Sequence, residues 1–384
     1  MSVNISPHTI IFIIAYSFDL NRNYLEKEIE REDISDLSFF ELLTFVFTKW
    51  TEKLIKEGLY KSFIDKTEQI KKVRGKILFQ DYIKQGGVAA SQLTCQFDDL
   101  SYNTLENQII LSTLLFCRQE LNRIKVWFTS KRLEERERLN LSVFKLIRLL
   151  SPYIDAKPLS TGLFNQLLFH RMNIKYKSIL SLCRFICHST ALKEIGEEEF
   201  LEPPEERMSE IFEGFLRNYL AEKLFIDQYS VNKKRVQDWI VIEESHGSSF
   251  FPEIRPDIII WDTGVPRLII DAKYYKDSLY KVEQFYVSAR PDEERYKVHS
   301  HNLYQIIAYT SFFNCDGLLV YAQTEKGFFK GIGRIKPDYY LNKEINKRRL
   351  GFYTLDLTGD LDEFKTRMGE FVDMIKGYIC ESAN

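Results

Sequence analysis

The chain has 384 residues, 45% hydrophobic and 28% charged, and its 53 lysines and arginines nearly balance 55 aspartates and glutamates for a formal net charge of −2. That length is more than a single core comfortably serves and sets an expectation of two domains. The balance excludes a uniformly basic protein, so nucleic-acid affinity must rest on local patches.

No stretch reaches the roughly 18 uninterrupted apolar residues of a membrane span. The best, Ile10 to Tyr16, runs into Asp19 and Arg22 and lacks the basic start and cleavage site of a signal peptide. It reads as the first buried helix of a cytoplasmic protein with no membrane contact. Six cysteines are scattered along the chain. Cys183 and Cys187 lie four apart beside His188, but no second ligand pair accompanies them, so buried reduced thiols are expected rather than a metal site.

Helical periodicity runs from Ser6 to about Leu59, with a wide apolar band from Phe39 to Phe47. Near Val73 the period changes. Val73, Gly75, Ile77 and Phe79 alternate with Arg74, Lys76 and Leu78, and Leu93, Cys95 and Phe97 alternate after Gly86-Gly87. This predicts a β-hairpin over about 73–97. Lys71, Lys72, Arg74, Lys76 and Lys84 make it basic. Helix resumes near Asn103, a plausible N-cap, and continues in segments to about Lys193. A second run of cations, Arg123 to Arg138, is interleaved by Glu134, Glu135 and Glu137 and reads as a solvated helix face.

The acidic stretch Gly196 to Glu206, with Pro203-Pro204, marks a domain boundary. Beyond it the expected order is helix (Met208–Phe225), strand (Arg255–Trp261), turn at Thr263-Gly264, strand (Leu268–Lys273), helix (His301–Phe313) and strand (Gly317–Ala322), an α/β arrangement.

The chemistry concentrates in Arg255-Pro256-Asp257-Ile258-Ile259-Ile260 and Leu268-Ile269-Ile270-Asp271-Ala272-Lys273. A turn centred near Gly264 sets Asp257 opposite Asp271, within a residue of register, and strand alternation puts Asp271 and Lys273 on one face. Two carboxylates suit a hard cation such as Mg²⁺, which polarises a phosphodiester and activates water, while a lysine offsets developing negative charge. The competing reading is a charged strand end with an incidental ion pair. Against it, Ile269 and Ile270 point to opposite faces, so the strand is expected to be buried on both sides, where an isolated charge is costly. Glu213, on the preceding helix, is a candidate further metal ligand, and Gln305 a candidate contact to Lys273 or phosphate. The His299/His301 pair is read as incidental. No G-x-x-x-x-G-K-[ST] loop occurs, so no nucleotide site of the chain's own is expected.

Pro256-Asp257, Asp271-Ala272-Lys273-Tyr274-Tyr275 and His301-Asn302-Leu303-Tyr304-Gln305 together resemble the McrC family, the nuclease subunits of McrBC 5-methylcytosine restriction systems. Val73-Arg74-Gly75-Lys76-Ile77, Leu100 to Asn107 and the opening Ile5 to Phe18 extend the resemblance over essentially the whole chain. It implies a mainly helical amino-terminal domain (1–197) that bears the projecting hairpin and binds a partner, followed by a restriction-endonuclease-like PD-(D/E)xK domain (198–384). It implies catalysis by Asp257, Asp271 and Lys273, with Glu213 and Gln305 as candidates, and a Mg²⁺ position at Asp257, Asp271 and Ala272. Its implied partners are an McrB-like AAA+ GTPase hexamer and methylated double-stranded DNA. The hairpin, with Arg74, Gly75 and Lys76, is the implied contact that stimulates the partner's GTPase. Two other classes stay open at this point: a non-catalytic regulator of the ring, and a stand-alone repair nuclease of the same fold.

Overall fold

The computed structural model describes residues 5–20, 22–29, 34–84, 92–123, 130–188, 205–233, 254–274, 280–281, 296–297, 299–323 and 348–381. The boundary read at Gly196 to Glu206 falls almost wholly outside them, as do Tyr275 and Gly86-Gly87. Two compact units emerge: residues 43–197, and residues 1–42 together with 198–384.

The second unit begins with α1 (Pro7–Ser17), started by the sequence's own punctuation. The Ser6 hydroxyl accepts from the Thr9 amide at 3.1 Å, and proline occupies the first turn, where its missing N–H costs nothing. After α2 (Arg22–Ile29), Ser38 and Glu41 form a reciprocal capping box: Ser38 N donates to Glu41 Oε2 at 2.8 Å and Glu41 N to Ser38 Oγ at 3.4 Å. They open α3 (Phe39–Glu57), whose body passes into the other unit.

The division differs from the expected one in a definite way: residues 1–42 belong with 198–384, not with the helical domain. The cause is aromatic burial. Phe12 and Tyr16 pack against Phe215 and Tyr219 of α9 (Glu205–Phe225), and Phe12 meets Phe364 of α11 (Leu361–Glu381) edge-on at 6.0 Å. A Cβ on Gly214 would sit 2.7 Å from Ser17 Oγ, so that glycine lets the two helices approach.

Unit 43–197 carries a three-stranded sheet and a helical body, α5 (Leu105–Arg123), α6 (Ser130–Leu150), α7 (Thr161–Asn165) and α8 (Lys177–His188). The expected hairpin over 73–97 is corrected here. β3 (Leu93–Ser101) pairs along its whole length with β1 (Ser62–Ile70), while the segment read as a strand from Val73 contributes just β2 (Lys76–Ile77) on β3's other edge. Phe79–Lys84 turns into the short helix α4. Gly75 explains the brevity. Its φ is +69°, and a Cβ there would lie 2.3 Å from Gln96 O, so the chain enters the sheet through a left-handed kink. The cap of α5 is Thr104 rather than Asn103, since Thr104 O accepts from Gln108 N at 2.9 Å.

In the other unit a five-stranded mixed sheet has the order β10-β9-β6-β5-β4, from β4 (Tyr229–Lys233), β5 (Ile258–Asp262), β6 (Val265–Lys273), β9 (Asp316–Gln323) and β10 (Leu350–Asp356). Two-residue strands β7 (Tyr280–Lys281) and β8 (Tyr296–Lys297) pair separately. β6 lies centrally, parallel to β9 and antiparallel to β5. Ile258 to Ile260 and Leu268 to Ile270 are fully buried, the run expected of strands covered on both faces. α10 (Ser300–Phe313) covers one face through Ile306 and Phe313 against Ile259, Ile269, Leu319 and Tyr321, while α9 also packs on β6. Beyond the expected order the structure adds β4, β10 and the carboxy-terminal α11.

Candidate active site

Thr263 and Gly264, with φ of 46° and 89°, make the tight turn between β5 and β6. Uninterrupted pairing from that turn would set Asp257 against Ile270. A bulge intervenes. Trp261 pairs with Pro266 but Ile260 with Leu268, so Arg267 is extra and the register advances by one to Ile258 opposite Ile270. Continued one step, this register brings Asp257 to Asp271, where Asp257 Oδ2 accepts from Ala272 N at 3.0 Å. Arg267 itself is held by Asp262 at 2.9 Å.

Asp271 is 0% exposed, and its Oδ1 is buried without a hydrogen-bond donor. Lys273 Nζ lies 2.7 Å from Asp271 Oδ2, an ion pair rather than an aligned hydrogen bond. Lys273 also donates to Gln305 Oε1 at 3.2 Å, and Gln305 Nε2 donates to the Tyr309 hydroxyl at 2.9 Å. Gln305 and Tyr309 are one turn apart on α10, so one helix face supplies both. Asn302 of the same helix, fully buried, donates to the Tyr321 hydroxyl at 3.1 Å and fixes the helix on β9.

Burial, and then the charge of Asp271, pushes the Asp257 carboxyl up to about 7, against the pull of Lys273. Asp271 is raised by burial too, opposed by Lys273 and reinforced by the nearby charge of Glu213. Burial therefore makes ionising both acids costly, and Lys273 offsets that cost in part.

The structure thus brings Asp257, Asp271, Ala272, Lys273 and Gln305 together, with Glu213 close enough to act on Asp271. Glu213 is also engaged by Arg217 at 3.1 Å on its own helix. Among the described residues no three His, Cys, Asp or Glu side chains converge as a metal cage. Two carboxylates still suit Mg²⁺, which keeps several waters and takes one or two protein carboxylates. The orphaned Oδ1 of Asp271 is the observation that favours a cation there. Tyr309 was missed in the sequence; its signal was the four-residue step from Gln305 on a helical face. Burial pushes the Cys187 thiol up to about 12, and the Cys183 thiol also rises.

On the other unit, Arg74 stacks on Phe97 at 4.2 Å and pairs with Asp99 at 3.1 Å, whereas Lys76 has no ion pair among the described residues. Both border a groove of about 460 Å³ lined also by Asp65, Gly75, Gln96 and Asp98. In the run read as a solvated helix face, Lys131 pairs with Glu135 at 3.8 Å and Arg138 with Glu134 at 3.7 Å. No described helix is long and apolar enough to cross a membrane.

A mixed sheet presenting an acid and a lysine from its central strand to a second acid, with a separate helical unit bearing a small sheet, defines a two-unit α/β protein. Residues 6–322 match the family model described as McrBC 5-methylcytosine restriction system component, and the chain belongs to that family. It is 27% identical over 337 residues to the Type IV methyl-directed restriction enzyme EcoKMcrBC of Escherichia coli (strain K12), a match spanning 84% of this chain and 87% of that relative. In fold it is similar to a refined half-complex from a tetradecameric assembly of Thermococcus gammatolerans McrB AAA+ hexamers with bound McrC. That likeness has a TM-score of 0.50 at 16% identity and covers 95% of this chain and 76% of the other.

Proposed function

We propose that this chain is the nuclease subunit of an McrBC-like restriction complex. It hydrolyses phosphodiesters of methylated double-stranded DNA with Mg²⁺, and its cutting is licensed by an McrB-like AAA+ GTPase hexamer that it stimulates. The observation carrying this reading is buried Asp271, its Oδ1 lacking a hydrogen-bond donor, beside Asp257 and Lys273. The solved relative from Thermococcus gammatolerans assembles with McrB AAA+ hexamers, which supports the partner.

Asp257 and Asp271, with Ala272 between the acid and the lysine, would hold the cation, and Glu213 would add negative charge behind it. A bound divalent ion supplies positive charge that polarises the scissile phosphate and makes water a better nucleophile. Ala272 N fixes the Asp257 carboxylate. Lys273, held between Asp271 and Gln305, places its ammonium where negative charge gathers on the phosphate oxygens. Tyr309 orients the Gln305 amide so that its carbonyl faces Lys273. On the other unit, the three-stranded sheet with Arg74, Gly75 and Lys76 is the surface offered to the ring.

The test compares Asp271→Asn with the wild-type chain, each assembled with its AAA+ partner, GTP and Mg²⁺ on methylated duplex DNA. Cleavage is expected to fall by roughly a hundredfold or more, with GTPase stimulation kept. Undiminished cleavage removes the catalytic assignment. Cleavage by the wild-type chain without any partner favours a stand-alone repair nuclease.

A further inference from the structure

The segment Asn103 to Asn107 does more than start a helix. Asn107 is 1% exposed, and its amide is fully engaged. Nδ2 donates to Tyr60 O at 3.0 Å and to Tyr102 O at 2.7 Å, and Oδ1 accepts from the Tyr176 hydroxyl at 2.9 Å. Tyr60 lies just before β1, and Tyr102 directly follows β3. These strands form the long antiparallel pair of the three-stranded sheet, so the two carbonyls are its two roots. The Tyr176 hydroxyl also accepts from Tyr60 N at 2.7 Å, which closes the ring of bonds.

Neighbouring groups brace this ring. Asn173 donates to Glu106 Oε1 at 2.6 Å, and Asn173 O accepts from Tyr176 N at 2.9 Å. Lys175 Nζ donates to Gly58 O at 2.7 Å. Capping alone does not require the Asn107 side chain, because Thr104 already supplies the cap through its carbonyl and hydroxyl. A primary amide presents two donors and an acceptor in one plane. Aspartate lacks the donors, and an apolar residue would remove the bonds by which a single side chain ties the two strand roots together.

We propose that Asn107, steadied by Tyr176, is a positioning residue that fixes the direction of the three-stranded sheet on the helical body. It thereby sets the affinity with which the AAA+ partner engages that sheet. This rests on the reading of the sheet as the partner contact. A sheet already aligned spends no binding free energy on ordering at docking, so loosening its roots lowers affinity rather than the maximal response.

The experiment titrates the full-length chain into its AAA+ GTPase with GTP and fits half-saturating concentration and maximal stimulated rate separately. Tyr176→Phe keeps the ring and its packing while removing the hydroxyl, so it avoids the folding risk of Asn107→Ala. It is expected to raise the half-saturating concentration roughly tenfold with the maximum within about twofold. Amide hydrogen exchange is expected to quicken in 62–70 and 93–101 and not in 130–150. An unchanged half-saturation despite quickened exchange overturns the proposal. So does a fallen maximum with protection lost across the helices, which marks a folding role. Lys76→Ala separates the two levels. If it weakens binding and Tyr176→Phe does not, the pivot alone is wrong; if Lys76→Ala also changes nothing, the sheet is not the contact and both readings fall.

Discussion

Tyr309 reaches the chemistry through a single amide. Its hydroxyl holds Gln305, which in turn holds Lys273, so Tyr309→Phe should leave the fold intact and lower DNA cleavage roughly tenfold, in the range of outer-shell losses at metal sites. Cleavage kinetics with unchanged thermal melting would check it. The acid pair makes a second prediction, with a definite sign. Asp257 is raised from 3.8 to about 7, so its folded-state penalty is absent below the unfolded value and grows as pH rises through about 7. A cation favours the ionised form, so stabilisation by Mg²⁺ should be small near pH 5 and increase through pH 7 to 8, read as a rise in melting temperature. A magnesium effect independent of pH would remove Asp257 from the cation site. The core of the site was legible because Asp271 and Lys273 sit two apart on a strand with no surface to spare for them. The job of Arg74 was not legible. Its partners Asp99 and Phe97 lie across a pairing that the local pattern did not disclose, and they leave Lys76 as the cation more available to a partner.

At the scale of elements, the bulge at Arg267 decides the geometry. Deleting Arg267 should return β5 and β6 to uninterrupted pairing, set Asp257 against Ile270 and separate the two acids. Expected is loss of cleavage with GTPase stimulation retained, since the altered unit is the one carrying the acids. Retained cleavage would show that the register does not depend on that residue. β6 and α10 could be read in advance because burial imposes a strict period on them. β1 could not: most of its residues are exposed, so neither face selects apolar side chains, and its nine-residue ladder with β3 wins through backbone bonds. The bulge was equally silent, because Pro266-Arg267 carries no signal of a register change.

For the molecule as a whole, the order of the chain matters more than its length. The unit holding the acids is made of two separated stretches, 1–42 and 198–384, with 43–197 set between them. A fragment of 198–384 alone would expose Phe215, Tyr219 and Phe364 where Phe12 and Tyr16 now lie. Each large aromatic left unpacked forfeits about 3–5 kcal/mol if it behaves like a core truncation. The fragment should therefore melt well below the full chain or aggregate, and adding a peptide of residues 1–20 should recover part of the loss. Full stability without that peptide would contradict the division. Pro203-Pro204 and its acidic surroundings suggested a boundary in a stretch that lies almost wholly outside the described residues. The membership of the first 42 residues was not legible, since α1 is apolar around most of its circumference and its pattern names no particular neighbour.

That split has a consequence for synthesis. A ribosome finishes the inserted unit roughly halfway along these 384 residues, yet the split unit stays incomplete until the helix Leu361–Glu381 emerges to close over Phe12. A message broken before that point leaves the inserted unit whole and the split unit without Phe364, so the cleavage proposed for the acids should be lost before the proposed partner contact.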